Sequence, residues 1–424
     1  MRELPKGWVE ATLGNLGHYW NGRAFKKSEW RTEGEGRQIV RIQDLTGSHQ
    51  VPNYFEGEAE SRNVARSGDI LVSWAATLGV FEWQGPEAVI NQHIFKVESF
   101  IDRRFHRYLL ESVLDDLRRR SHGSGVVHVT REVFDDTPVQ LPPLTEQERI
   151  VAAIDEQLSR LDEAERLLRS GQLRVLRMRS SVLAAVTPMG GRWTSLGEIA
   201  EIVGGVTKDS KRQSDPSLVE VPYLRVANVQ RGYLDLSEIT NIRVRPEKAK
   251  ALRLEAGDIL FNEGGDRDKL GRGWVWQGEV HDCIHQNHVF RARLLTDDFD
   301  PKYVSYHGNT FGQRWFEKMG KQTTNLASIN LRVLKSFPVP DLPVGEQRQI
   351  VAEVEQNLTL LDSLMRAIDL ALARSRQLRR SILGRAFTGR LVPQDPSDEP
   401  ASALLARIAA EPATATKPRR RQRA

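Results

Sequence analysis

The sequence predicts an α+β chain. Two similar α/β domains, residues 1–144 and 188–343, are separated by two long helices, residues 145–187 and 344–391, that form an antiparallel coiled coil with pseudo-two-fold symmetry. A tail, residues 392–424, reads as flexible and basic. Three observations carry this reading. Short segments recur in the same order, each set ends in a long heptad run, and each heptad run passes from acidic to basic.

The recurring segments fix the domains. Gly68-Asp69-Ile70-Leu71 returns as Gly257-Asp258-Ile259-Leu260, and Ile39-Val40-Arg41-Ile42 returns in character as Tyr223-Leu224-Arg225-Val226. Asn91-Gln92-His93-Ile94-Phe95 corresponds to Gln286-Asn287-His288-Val289-Phe290. Pro143…Glu146-Gln147…Ile150-Val151 corresponds to Pro343…Glu346-Gln347…Ile350-Val351. Leu13 and Leu196 lie 183 residues apart and Glu146 and Glu346 lie 200 apart, so length changes fall inside the domains. Within each domain, β-branched and aromatic runs broken by Gly, Asp and Asn read as strands, and a proline-marked strand closes the unit. Gly68-Asp69 and Gly257-Asp258 read as turns ahead of a buried strand.

Each long helix then opens with a start signal. Thr145 is the expected N-cap with Glu148 three residues on, and Gly345 takes that place in the second copy. The first helix carries Ile154, Leu161, Leu168, Val175 and Val182 on one track, while its companion track turns polar at Glu165, Gln172 and Arg179. The second carries Val354, Leu361, Ile368 and Ile382, with Ser375 as a gap, beside Val351, Leu358, Met365 and Leu372. Both helices run from an acidic first half to a basic second half. Laid antiparallel, each acidic half faces a basic one; laid parallel, like faces like.

Composition sets the outer limits. Of 424 residues, 39% are hydrophobic and 28% charged, which supports real cores and excludes wholesale disorder. A single cysteine, Cys283, excludes a disulfide framework. No apolar run approaches the ~18 residues of a membrane span, and the expected setting is soluble and cytoplasmic. The net charge of +5 favours a polyanion partner mildly, since Lys417, Arg419, Arg420, Arg421 and Arg423 supply much of it.

Two similar domains joined by paired helices can present two related surfaces to a long ligand at a fixed separation. Duplex DNA, with its repeat of ~34 Å, fits that geometry. The doubled Pro…Glu-Gln…Ile-Val segments, the doubled Gly-Asp-Ile-Leu and the helix-ending Leu383-Gly384-Arg385-Ala386-Phe387-Thr388-Gly389 together resemble the specificity subunits of type I restriction-modification systems, over nearly the whole chain. The first helix departs from that pattern at its end, where Ala184-Ala185-Val186-Thr187 replaces a glycine-containing turn.

The resemblance implies a non-catalytic chain that reads double-stranded DNA through two target-recognition domains. It implies two methyltransferase subunits as partners, which modify adenine with S-adenosylmethionine, and motor-nuclease subunits that use ATP with Mg. No cofactor is expected in this chain. The competing reading is a duplicated coiled-coil scaffold for protein assembly, without sequence-specific DNA binding.

The residues agree with a chain lacking catalysis. There is no Asp/Asn-Pro-Pro-aromatic segment for gripping a flipped base and no Gly-Lys-Ser/Thr phosphate loop. His281, Cys283 and His285 alternate along one stretch, but ligands at such spacing splay apart, and no metal site is expected. Phosphate contact needs Lys or Arg; base reading needs Arg, Asn, Gln, Ser or Thr on exposed loops. The candidates in the first domain are Arg23, Lys26, Lys27, Ser73, Thr77, Ser124 and His128. Those in the second are Lys208, Lys211, Arg212, Asn262, Arg267, Lys269, Gln322, Thr323, Thr324 and Asn325.

Overall fold

The computed structural model describes residues 4–410, apart from 33–35, 49–50, 76, 121–130, 189, 266–268 and 323–326. The chain divides into two compact units, Met1–Leu167 with Ala371–Ala424, and Leu168–Leu370.

In the first unit, Val9–Thr12 pairs antiparallel with Pro138–Leu141. An antiparallel sheet follows in the order Gly17–Asn21, Ile94–Ser99, Ile70–Ser73, Gly79–Glu82. A second sheet runs Asn53–Phe55, Arg37–Val40, Ala88–Ile90, Val64–Ala65, with its middle pair parallel. Ile70–Ser73 and Ala88–Ile90 are buried at every position, which is why Ile70–Val72 and Ala88–Ile90 are unbroken apolar runs. The helix Arg103–Arg120 places Phe105, Tyr108, Leu109, Leu110 and Leu114 in one core with Tyr19, Val72 and Phe95.

The second unit repeats this order. Trp193–Ser195 pairs with Pro338–Pro340. The antiparallel sheet is Ala200–Gly204, Val289–Leu294, Ile259–Asn262, Gly273–Val275. Beside it lie Thr240–Val244, Val219–Leu224 and Ile284–His285, again with one parallel pair. Two helices, Pro301–Asn309 and Phe311–Met319, stand where the first unit has one. The break has a cause: the Asn309 amide donates to the Gly273 carbonyl (2.7 Å) and accepts from the Gly273 N–H (3.1 Å), holding the chain at that point.

The Gly-Asp segments are structural in both units. Gly68 and Gly257 have φ of +87° and +94°, a left-handed conformation that favours glycine. The following carboxylate accepts a local N–H and a cation from the neighbouring strand: Lys96 at 3.0 Å for Asp69, Arg293 at 2.7 and 2.8 Å for Asp258.

The long helices are Leu144–Ala184 and Val344–Ala386. Each starts on a buried glutamine. Gln147 accepts from the Asp102 N–H (3.2 Å) and donates to the Pro142 carbonyl (3.0 Å). Gln347 accepts from the Asp300 N–H (2.9 Å) and donates to the Leu342 and Asp298 carbonyls (2.7 and 3.0 Å). Thr145 is not the N-cap: the first helix begins one residue earlier, and the Thr145 hydroxyl donates to Asp398 instead.

Each unit contains its own antiparallel helix pairing. In the first, Ile154 and Leu158 share a core with Ile382 and Leu383, Asp162 meets Arg379, and Ser375 donates to Glu165 at 2.7 Å. In the second, Gln172 donates to Asp369 at 2.8 Å and Arg179 meets Asp362. Ile154, Val175, Val354, Leu361, Ile368 and Ile382 are buried; Leu161, Leu168 and Val182 are half-buried.

The flexible-tail expectation for residues 392–424 does not hold as far as residue 410. Helix Ala401–Ala410 inserts Ala401 and Leu404 into the core that holds Trp8. Asp398 pairs with Arg149 at 2.5 Å, and the Ala401 N–H donates to the Gly7 carbonyl at 2.9 Å. The reason is apolar spacing: Ala401, Leu404 and Ile408 share one helix face, which packs against the first unit. The Lys/Arg cluster of residues 417–423 lies outside the described residues. Among the described residues no helix is long and apolar enough to cross a membrane.

Candidate nucleic-acid interface

In both units the chain makes the same tight turn as it passes from the parallel strand pair into the antiparallel sheet. In the first unit this turn is Asn91-Gln92-His93. The Asn91 N–H donates to the Val40 carbonyl (3.0 Å) and the Ile94 N–H closes back onto Asn91 (3.1 Å). Gly22 and Arg23 run alongside, bonded to Ile94 and Ile90 at 3.0 and 2.7 Å. They come so close that a Cβ on Gly22 would collide with the Ile90 and Asn91 carbonyls.

The second unit builds the turn from Gln286-Asn287-His288. The Gln286 N–H donates to the Leu224 carbonyl (2.9 Å), and the Val289 N–H to that of Gln286 (2.8 Å). Gly205 and Val206 run alongside, and a Cβ on Gly205 would collide with the equivalent His285 and Gln286 carbonyls. An isolated parallel bridge marks the equivalence, Arg23 with Asn91 and Val206 with Gln286.

The side chains on the turns also match. The Gln92 amide lies 3.2 Å from His93 Nε2, and the Asn287 amide 3.2 Å from His288 Nε2. An amide nitrogen only donates, so each imidazole accepts at Nε2 and carries its proton on Nδ1. His288 directs Nδ1–H to Glu263, while the His93 ring sits edge-on to Trp74 with centroids 5.5 Å apart. Behind the second turn, His285 is fully buried and donates from Nδ1 to the Val289 carbonyl at 2.6 Å; burial lowers its pKa to about 4.

The expected DNA-contacting residues divide into three groups. Lys26 and Lys27, and Lys208 and Lys211, are exposed on the segments that continue from Arg23 and Val206; Thr77 is exposed as well, and Lys269 is half-buried. Arg23, Ser73 and Asn262 are committed elsewhere. The Arg23 guanidinium pairs with Glu29 and lies over the Phe55 ring at 4.7 Å. Ser73 and Asn262 are fully buried as the last residues of equivalent strands. Ser73 donates to the Thr77 carbonyl at 2.5 Å, and Asn262 donates to the Val226 and Val229 carbonyls, holding a loop from beneath. They fix loops and do not face a ligand. Ser124, His128, Arg267, Thr323, Thr324 and Asn325, and the side chains of Arg212 and Gln322, lie outside the described residues.

The His281–His285 stretch does not converge. Asp282 has φ of +54°, so His281 points to solvent while Cys283 and His285 turn inward, and burial pushes the Cys283 thiol up to about 12. In the sequence the amide–imidazole turns are visible only as repeats. An amide beside a histidine at the same point of both copies was the available signal.

Residues 5–168 match the family described as type I restriction modification DNA specificity domain. The EcoBI specificity subunit of Escherichia coli is 24% identical, across 96% of this chain and 93% of its own length. The EcoKI specificity subunit of E. coli K12 is 26% identical, across 96% of each. The EcoEI specificity subunit of E. coli reaches 60% identity over 42% of this chain and 30% of its own. In fold, the chain resembles the HsdS subunit of Thermoanaerobacter tengcongensis with a TM-score of 0.55 and 22% identity, covering 92% and 98% of the two chains. A chain from a type I R-M system complex gives 0.70 and 22%, covering 92% and 100%. A duplicated fold and relatives matched along nearly their whole length point one way: the chain is similar to the specificity subunits of type I restriction-modification systems, and its residues 5–168 match their DNA specificity domain.

Proposed function

We propose that this chain is the non-catalytic DNA sequence-recognition subunit of a type I restriction-modification complex. It reads a bipartite, asymmetric target, one half-site per α/β domain, and the paired long helices set the spacer. The observation that carries this reading is the fold built twice with the same pinned turn but different side chains on it, Gln92-His93 in one copy and Asn287-His288 in the other. Two equivalent but non-identical surfaces suit a split target whose halves differ.

The chain also scaffolds the complex. Leu173, Leu176, Met178, Leu360, Leu364 and Leu370 are 45–67% exposed on the long helices of the second unit, as are Leu167 and Leu378 in the first. Large apolar side chains left exposed along paired helices support docking of the two methyltransferase subunits and, beyond them, the restriction subunits. S-adenosylmethionine belongs to the methyltransferase subunits, and ATP with Mg to the restriction subunits. The complex works in the cytoplasm, where the chromosome is.

Single-molecule sequencing of adenine methylation, with and without this gene beside its neighbours, tests the reading. Loss of one bipartite motif with a fixed gap is the expected result. Binding by the purified complex with no sequence preference and little salt dependence would overturn it.

A further inference from the structure

Resting on that reading, we propose that Gln92 and Asn287 are the residues that read an adenine in each half-site. Each is an amide, the side chain whose paired acceptor and donor match the N6–H and N7 of adenine in the major groove. The adjacent imidazole at 3.2 Å engages one amide N–H. The second N–H and the amide oxygen remain for the base.

Rigidity argues for readout over adventitious exposure. A base-reading group works when it is held in place before binding, because ordering a free side chain costs affinity. Both turns are pinned through backbone hydrogen bonds on two sides, with a glycine strand packed too closely to admit a Cβ. The imidazole then braces the amide. Glu263 fixes His288 in the second unit, and Trp74 fixes His93 in the first.

The flanking charge fits the same ligand. Lys26 lies three residues beyond the bridged Arg23, and Lys208 two beyond the bridged Val206. Exposed lysines there hold phosphates and set the register of the amide on the base pairs.

The test uses the full chain assembled with its methyltransferase subunits and a selection on random-sequence duplex DNA, with assembly verified by gel filtration. Gln92→Ala is expected to make one A·T position of one half-site degenerate, with discrimination falling about tenfold or more. Asn287→Ala should do the same in the other half-site only. Gln92→Glu leaves an acceptor without a donor, so that position should shift from adenine to cytosine. Lys26→Ala with Lys27→Ala should weaken all sequences alike and leave the motif unchanged.

An unchanged motif in either alanine variant overturns the paired assignment. Loss of all enrichment from an assembled variant also overturns it, since that would assign the amide to general affinity. If the unaltered complex enriches no bipartite motif, the recognition reading itself fails, which is a separate result.

Discussion

Gln147 and Gln347 each close the start of a long helix onto the start of the helix that covers the sheet, through two bonds of the Gln147 amide and three of the Gln347 amide. Replacing either with alanine leaves buried backbone groups unpaired, and should cost about 1–3 kcal/mol in chemical denaturation. Three buried imidazoles add a pH dependence: His106 is lowered to about 3, His285 and His307 to about 4, each by burial. Their folded pKa values lie below the unfolded 6.5, so the unfolded chain takes up protons first. Their stabilising contribution is complete above about pH 7 and is lost as pH falls from ~6.5 towards 4. The melting temperature should drop across that window, and His307→Gln should shallow the drop. At this scale the sequence was legible where residues repeat and opaque where burial decides. Ser73 and Asn262 looked like loop residues because nothing in the local sequence marks that the strand runs one residue further.

Among the elements, the helix pairings rest on apolar tracks more than on their ion pairs. Leu361→Ala empties a buried site and should cost about 2–5 kcal/mol. Asp162→Ala removes an exposed partner of Arg379 and should cost about 0–1 kcal/mol. Urea denaturation of the two variants separates the effects. Heptads and charge order were readable because both follow from spacing along one helix. The polar positions Glu165 and Gln172 gained meaning only from their partners Ser375 and Asp369, which no single-helix pattern reveals. The helix Ala401–Ala410 was half legible for a similar reason: an amphipathic run over Ala403–Ala409 is visible in the sequence, but ten residues hold as a helix only because the first unit covers them. Leu404→Asp should therefore raise hydrogen exchange in the first unit and leave the second unit protected.

For the whole molecule, the doubled order of motifs was the most legible feature, because a repeat is visible without knowing any contact. The half-sites were not legible, since turn and loop side chains determine them and the fold does not. One consequence is measurable in DNA. Adding a heptad to both long helices in register lengthens the pair by ~10 Å at 1.5 Å per residue. That corresponds to about three base pairs at 10–10.5 per ~34–36 Å turn. The methylated motif should keep both half-sites while its gap widens by about that number; altered half-sites with an unchanged gap would contradict the ruler.

The division of the chain also sets a timetable. The second unit, Leu168–Leu370, is continuous, so all of it has been synthesised before the ribosome reaches Ala371. The first unit begins earlier but finishes last, because its core needs Ile382, Leu383, Ala386, Ala401 and Leu404. A chain truncated after residue 370 and released should therefore carry a protease-resistant second unit behind an unfinished first one. Only a chain translated past Leu404 can complete both, so a product terminated before it would lack the first unit in its folded form.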